Sequence, residues 1–511
     1  MQTSSDLSRA DPDIREPSRI SLGALFVACL IPFVVLATFN SAGYRYGASD
    51  QAFYLPAILE RIDPSLFPRD SDLIQSQATL TAVDETVAAA ARHLPVTLPA
   101  LFALLYLVAL ALLLGGALLI AERLYRTTWA SVALVAALTL RHAISRTGTN
   151  TLEGYFHPRQ LAFGLGVLAV GVFLRRGPAW PGILLIGAAL LHPTTALWFV
   201  IWLGIAAIVA EPRLRAPLVL AAASGFIAGV WALAVGPLQG RLAPMDPAWL
   251  QTLRSKEYLF PLQWPLWAWT VNLAYAPLII WIYGRRRRIG AITPRESGLV
   301  WGCLSLLAVF ACAVALHAWR IALAIQLQPA RIFWMLDVLA TVYLVWLLAE
   351  GSAHRPRRRA AAVAAVVIAL TVARSAYVGA IRFPERSFAT LGIPDDDWGR
   401  VMTWARTSTD VSSHWLADPV HAARYGTSVR VAGHRDVFVE EIKDAAIGMY
   451  SRPVAIRTRD RLDELGHFGE LGPDRANELA ERYGLDYLVA DRPFDLPEVF
   501  QSGRLRVYRL Q

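Results

Sequence analysis

Between Ser21 and Val378 the chain repeats one pattern, an apolar run followed by a short polar connection. About 20 consecutive apolar residues leave no polar face for water, so repeated runs of that kind call for a bilayer as solvent. The runs are Ser21–Ser41, Val96–Ile120, Trp129–Leu140, Leu161–Leu174, Pro181–Ala210, Pro217–Val235, Trp264–Tyr283, Leu299–Leu316, Ile332–Leu348 and Ala360–Val378. Pro181–Ala210 is too long for one crossing and divides at Leu191, His192, Pro193 and Thr194, because proline disfavours helix in the residue before it. The pattern predicts a polytopic α-helical membrane protein of about 11 transmembrane helices. A chain of 511 residues that is 55% hydrophobic and 17% charged, with mean hydropathy +0.41, fits no single soluble domain.

Arginine clusters set the expected orientation. Arg123 and Arg126, Arg175 and Arg176, Arg213 and Arg215, Arg285–Arg288, and Arg355 with Arg357–Arg359 all fall on one side when the runs are counted alternately. Positive residues mark the cytoplasmic side. Residues 1–20 are then a cytoplasmic tail, and the first run exceeds a signal-peptide core of about 7–15 residues, so it reads as an uncleaved helix. The arginine-rich composition and compact loops point to a bacterial inner membrane, with loop 42–95, the loops at Arg141 and Gly236, the turn at His317 and residues 380–511 in the periplasm. The net charge of +9 lies in these clusters and forms no basic reading face, which excludes a nucleic-acid partner. Cys29, Cys303 and Cys312 all lie inside apolar runs, without zinc-site spacing.

The texture changes at the C-terminus. After the transmembrane domain, residues 21–379, residues 380–511 mix charges with short alternating patterns and read as a small α/β periplasmic domain. HWLAD, DYLVAD and LRVYRL are its strand candidates. Asp395–Asp397 cap a helix bearing Trp398, Val401 and Trp404, and Pro473–Tyr483 forms another, stopped by Gly484. Glu440, Glu441, Lys443 and Asp444 read as surface charges.

Chemistry concentrates on the periplasmic side. In YRYGASDQAFYLPAILERIDPSLFPRDSD, Asp50 precedes a helix whose apolar stripe of Ala52, Leu55, Leu59 and Ile62 would lie on the bilayer, and a second helix runs from Leu73 to Arg92. A carboxylate there can serve as general base on an acceptor hydroxyl, or it can simply cap the helix. Glu153, His157 and Arg159 lie in LEGYFHPRQ, where Arg159 can bind a phosphate, paired with Glu153, or snorkel to lipid headgroups. His192 marks a helix break, as a site residue or a helix-end one. Arg254, Lys256, Arg320 and Arg331 offer fixed positive charge for a departing phosphate, or anchor the chain at the interface. Lysine occurs only at Lys256 and Lys443, although Lys and Arg together number 49. Asp337, inside a run, needs a partner, and Arg331 is near it in sequence.

The cytoplasmic start, the acidic residue just past the first span, the surface helices of that loop and the C-terminal periplasmic domain together resemble the GT-C class of polyprenyl-phosphate-dependent glycosyltransferases. The resemblance implies an integral membrane enzyme that moves a sugar from a polyprenyl-phosphate donor to a lipid, glycan or protein acceptor, with inversion. It matches Asp50 to the essential loop carboxylate of the class. Donor phosphate then falls to Arg159, Lys256 and Arg331, with Gln51, Glu153, His157, His192, Arg254 and Arg320 in support. The class often carries a second acid where this chain has Gln51, so a divalent metal is not supported by a second loop carboxylate, and no other cofactor is implied. The same charges also suit a transporter or flippase of lipid-linked sugars, or a membrane scaffold that presents the C-terminal domain.

Overall fold

The computed structural model describes residues 21–78, 81–351 and 356–510. The expected cytoplasmic tail 1–20 and Arg355 lie outside them. Among the described residues, nine helices are long and apolar enough to cross a membrane: Leu22–Asn40, Leu98–Leu124, Pro158–Arg176, Pro193–Ala210, Pro212–Ala234, Leu266–Arg288, Pro294–Ala318, Ala322–Ala349 and Pro356–Arg382. The other two expected spans form helices of 11 residues each, Thr128–Leu138 and Pro181–Leu191. At a rise of about 1.5 Å per residue they reach about 16 Å, roughly half of a hydrocarbon core. The expected count of about 11 crossings is thus not reached by helix length.

At the arginine-bearing helix ends the clusters pair with acids and carbonyls of neighbouring segments. Glu122 pairs with Arg175 at 3.7 Å and Glu211 with Arg295 at 3.3 Å. Glu350 accepts from the backbone of Arg126 and Thr127, and Arg286, buried, pairs with Glu296 at 2.5 Å while reaching the carbonyl of Leu124. The loops that carry Asp50, Glu153, His192 and Lys256 gather at the opposite end, under the C-terminal domain.

Small residues decide how closely the central helices approach. A Cβ added at Gly116 would lie 2.6 Å from the backbone of Leu168, and one at Gly171 would lie 2.5 Å from Cβ of Leu119. Leu98–Leu124 and Pro158–Arg176 therefore cross nearly backbone to backbone, as small-residue interfaces in membranes permit. That crossing fixes the height of the second helix, whose first turn carries His157 and Arg159.

The C-terminal domain holds a five-stranded sheet in the spatial order Asp436–Val437, His414–Leu416, Tyr487–Ala490, Leu505–Arg509, Glu498–Ser502. The first three strands are parallel and the last two form an antiparallel hairpin. All three expected strand segments pair here. Asp396 caps Asp397–Ser408 through the N–H of Gly399 at 2.8 Å, and Gly484 ends Pro473–Tyr483 in a left-handed conformation.

The domain does not hang free. Tyr44–Arg45 pairs in parallel with Ala389–Thr390, so the first loop and the tail share a two-stranded ribbon. Beneath it Asp70, fully buried, accepts from Arg430 Nε at 2.7 Å and from the backbone N–H of Val437 at 3.2 Å, and also pairs with Arg457. Arg430 in turn clasps Asp444 at 2.6 Å. Glu440, Lys443 and Asp444, expected at the surface, are all buried, because their helix Glu441–Gly448 faces the first loop. Only Glu441 keeps a partly exposed position.

The first loop departs from expectation for the same reason. Gln51–Ile62 does not present one apolar face to a membrane and the other to water. Nine of its 12 residues are buried by protein, among them Gln51, Tyr54 and Glu60. The expected helix Leu73–Arg92 is two helices, Ser71–Ala78 and Val83–His93, with 79–80 outside the described residues. Docking of a domain more than 300 residues away covers the face that local periodicity assigns to solvent.

Candidate functional site

Asp50 stands at the N-terminus of Gln51–Ile62 yet makes no capping bond with its side chain. Its oxygens are turned to other segments. Oδ1 lies 2.6 Å from Nζ of Lys443. Oδ2 accepts from the hydroxyl of Tyr155 at 3.2 Å and lies 3.4 Å from Nε2 of His157. The helix-cap reading of Asp50 is therefore set aside by where its oxygens point. The side chain stays 38% exposed, which leaves room for a molecule to reach it. Burial acts to raise the carboxyl, but the Lys443 ammonium and the hydrogen bond from His157 hold it well below the usual carboxylate range.

Gln51 is a clamp. Its Oε1 accepts from the N–H of Gly47 at 2.6 Å and its Nε2 donates to the carbonyl of Phe156 at 3.0 Å, both buried. Both ends of the amide tie the first loop to the second. A glutamate there would have no proton to give Phe156, so the amide serves the fold at this position. Among the described residues no group of three or more His, Cys, Asp or Glu side chains is placed to hold a metal ion.

The second loop enters through a short hairpin, Ala143–Ile144 with Thr149–Asn150, and closes on the helix beginning at Pro158. His157 caps that helix, its Nδ1 accepting from the N–H of Arg159 at 3.0 Å. With Nδ1 an acceptor, the proton of the neutral ring sits on Nε2, which faces Asp50. Burial, and then the charge of Arg159, push His157 down to about 4 despite the pull of Asp50, so the ring is neutral at pH 7. Glu153 pairs with Arg159 at 3.3 Å, takes a further bond from Asn150 at 3.2 Å and lies 3.7 Å from Arg141. Burial raises its carboxyl all the same.

His192 sits at the break between Pro181–Leu191 and Pro193–Ala210, its ring centroid 6.2 Å from that of His157. Its Nδ1 takes the N–H of Thr195 at 3.2 Å, leaving Nε2 to carry the proton. Together with Phe53, Tyr54, Leu197, Leu238, Leu323 and Tyr450 it lines a predominantly apolar cavity of about 400 Å³.

Arg331 is buried within electrostatic reach of Tyr54, His192 and Tyr450, which line that cavity, and of His157, while the cavity's own guanidinium, Arg241, donates to Gln326 at 2.7 Å. Arg331 forms no ion pair and no side-chain hydrogen bond among the described residues, and its buried Nε has no partner. Asp337 does not pair with it. That carboxylate takes His142 at 2.9 Å and the hydroxyl of Tyr275 at 3.1 Å instead.

Lys256, buried, donates to the carbonyl of Ile442 at 2.7 Å, beside Lys443. Its contact with the C-terminal domain sets it next to the Asp50–Lys443 pair. Arg254 and Arg320 are exposed and line a separate cleft of about 320 Å³ with His317 and Gln263. Asp50, Gln51, Glu153, His157, Arg159, His192, Lys256 and Arg331 are thus brought to one region, and Arg254 and Arg320 are not.

Tyr155 stands beside Glu153, His157 and Arg159 in LEGYFHPRQ and is legible with them, whereas Lys443, Tyr54 and Tyr450 carry no site signal in the sequence. Only the scarcity of lysine marked Lys443 in advance.

Fold and site together define a multi-pass helical membrane protein with a docked α/β domain that closes over a buried cluster of charges. No family model matches the sequence, and no curated protein matches it. Among solved structures the chain is similar to the crystal structure of the Archaeoglobus fulgidus oligosaccharyltransferase in the apo form, with 13% identity over 91% of this chain and 69% of that one and a TM-score of 0.47. A likeness of that degree leaves function to be argued from the site.

Proposed function

We propose that the protein is an integral membrane glycosyltransferase that moves a sugar from a polyprenyl-phosphate donor to a lipid, glycan or protein acceptor on the side of the membrane where the C-terminal domain lies, the periplasm of a bacterium. The observation that carries the proposal is Arg331, a buried guanidinium without a counter-charge among the described residues, within electrostatic reach of Tyr54, His192 and Tyr450 on the wall of an apolar cavity. A buried unpaired cation is costly unless an anion joins it, and an apolar cavity beside it suits a lipid tail. A phosphate esterified to a polyprenol has both parts.

In this reading Arg331 and Arg159 bind the donor phosphate, with Tyr54, Tyr450 and His192 at hand for its oxygens. The acceptor hydroxyl approaches over Asp50. Its oxygen bonds to the anomeric carbon, the carbon–oxygen bond to phosphate breaks, the hydroxyl proton passes to Asp50, and polyprenyl phosphate leaves on the guanidinium groups. Glu153 orients Arg159, and neutral His157 with Tyr155 orients Asp50 by hydrogen bonding.

Purified full-length protein with undecaprenyl phosphate carrying a radiolabelled hexose, and lipid extract as acceptor, tests this. Consumption of donor with formation of a new labelled glycoside, abolished in Asp50→Asn, is the expected result. Movement of intact donor across vesicle membranes without any new glycoside would overturn it in favour of a flippase.

A further inference from the structure

A chain that uses arginine for nearly every positive charge has lysine at only two positions, and the fold puts both at one place. Lys443 Nζ touches Asp50 Oδ1 at 2.6 Å, and Lys256 Nζ holds the carbonyl of Ile442, the residue before Lys443, at 2.7 Å. The three participants come from the first loop, the loop after Pro212–Ala234 and the C-terminal domain. We propose that Lys443, held in place by Lys256, is the positioning cation of Asp50: it keeps the carboxylate ionised between turnovers and makes the C-terminal domain part of the active centre. The turnover part of this rests on the glycosyltransferase reading.

The geometry explains why the cation is lysine. An arginine facing a carboxylate tends to take both oxygens in a two-pronged bond, whereas an ammonium is a compact charge that engages one. Here only Oδ1 is taken by the cation, and Oδ2 keeps Tyr155 and His157 and its exposed side toward an incoming hydroxyl. After transfer, Asp50 carries the proton from the acceptor. The protonated acid beside an uncompensated ammonium is strongly acidic, so the proton leaves to water through the exposed side of Asp50 and the ion pair re-forms. The groups facing Asp50 are the cations Lys443 on the tail domain and Arg159 behind it, the carboxylate of Glu153, the neutral ring of His157 at the helix start, and the phenols of Tyr54 and Tyr155. Lys256 faces Lys443 and is itself pushed down to about 8 by burial and by that neighbour.

The test uses full-length protein and two readouts. The first is the infrared carboxyl band of Asp50 against pH, assigned by subtracting Asp50→Asn. In Lys443→Met its titration should move up by about 1–3 pH units, whereas Lys443→Arg should keep it low. The second is the acid limb of the rate–pH profile with the labelled donor. In Lys443→Met it should move with the band; turnover at neutral pH, where Asp50 stays ionised, should fall about tenfold or more because the carboxylate loses its fixed position, and added methylammonium should restore part of it. Lys443→Arg should turn over more slowly than wild type while keeping the acid limb in place. An Asp50 band that titrates at the same pH in wild type and Lys443→Met overturns the proposal, and so does unimpaired turnover in Lys443→Met. If no donor is turned over by wild type, the glycosyltransferase reading fails, and the infrared arm still decides whether Lys443 governs Asp50.

Discussion

Oδ1 of Asp50 and Nζ of Lys443 meet at 2.6 Å across 393 positions of sequence. This contact places a side chain of the C-terminal domain on the residue proposed as base. Replacing Asp50 with Asn keeps the shape, the Tyr155 contact and most of the packing, but removes the proton acceptor. Turnover of labelled donor should fall by about 10²–10⁴-fold, and thermal stability should fall as well, because Lys443 is left buried without its carboxylate.

Arg331 separates stability from function. Removing an unpaired buried cation relieves a desolvation penalty, so Arg331→Met should make the empty protein more stable by about 1–3 kcal/mol. The same change should weaken binding of a polyprenyl-phosphate sugar by about 30-fold or more, as loss of charged hydrogen bonds does. Thermal melts with and without donor measure both. Equal donor stabilisation in mutant and wild type would remove Arg331 from the phosphate site.

Gln51→Glu tests whether restoring a second loop acid restores a metal site. The carboxylate can still accept from Gly47, but it faces the carbonyl of Phe156 with no proton to donate. The variant should lose about 1–3 kcal/mol, and Mn²⁺ should not recover the lost melting temperature.

Asp70 ties the first loop to the tail through Arg430, Arg457 and the N–H of Val437. Asp70→Asn leaves Arg430 with Asp444 but takes one negative charge from a buried cluster, at a cost of about 3–5 kcal/mol. Amide exchange should quicken in Glu441–Gly448 and in Gln51–Ile62 together, because they share this anchor.

Asp84 is fully buried, neither of its oxygens has a hydrogen-bond partner among the described residues, and burial with the charge of Glu85 pushes it up to about 7. The folded state therefore binds this proton more tightly than the unfolded chain does, and stability falls as pH rises from about 4 to about 7. Asp84→Asn removes that dependence. The variant should be more stable by about 1–3 kcal/mol at pH 8 and indistinguishable from wild type near pH 4, measured as paired melts.

The apolar runs were legible because the 20-residue scale of a bilayer exceeds any local ambiguity, and the helix at Pro193 began where proline said it would. Strand segments such as Tyr487–Ala490 were legible too, since β-branched and aromatic residues alternate there between turn residues. The surface helix was misread because Ala52, Leu55 and Leu59 have the same spacing whether lipid or protein covers them. Lys443 and Asp444 were misread because a charged stretch says nothing about a partner hundreds of residues away, and Asp337 took His142 and Tyr275 where sequence proximity suggested Arg331.

Sequence by itself determined that this chain needs a bilayer, which ends of its helices carry arginine, and that a small mixed domain follows the last span. Those properties depend on composition over windows of many residues, and no contact can reverse them. Tertiary structure alone decided that Gln51 clamps two loops, that Arg331 is buried without a counter-charge among the described residues, and that Lys443 meets Asp50 with Lys256 beside it. Each of these turns on the position of single atoms from distant segments, set by helix crossings and domain docking that local pattern does not encode.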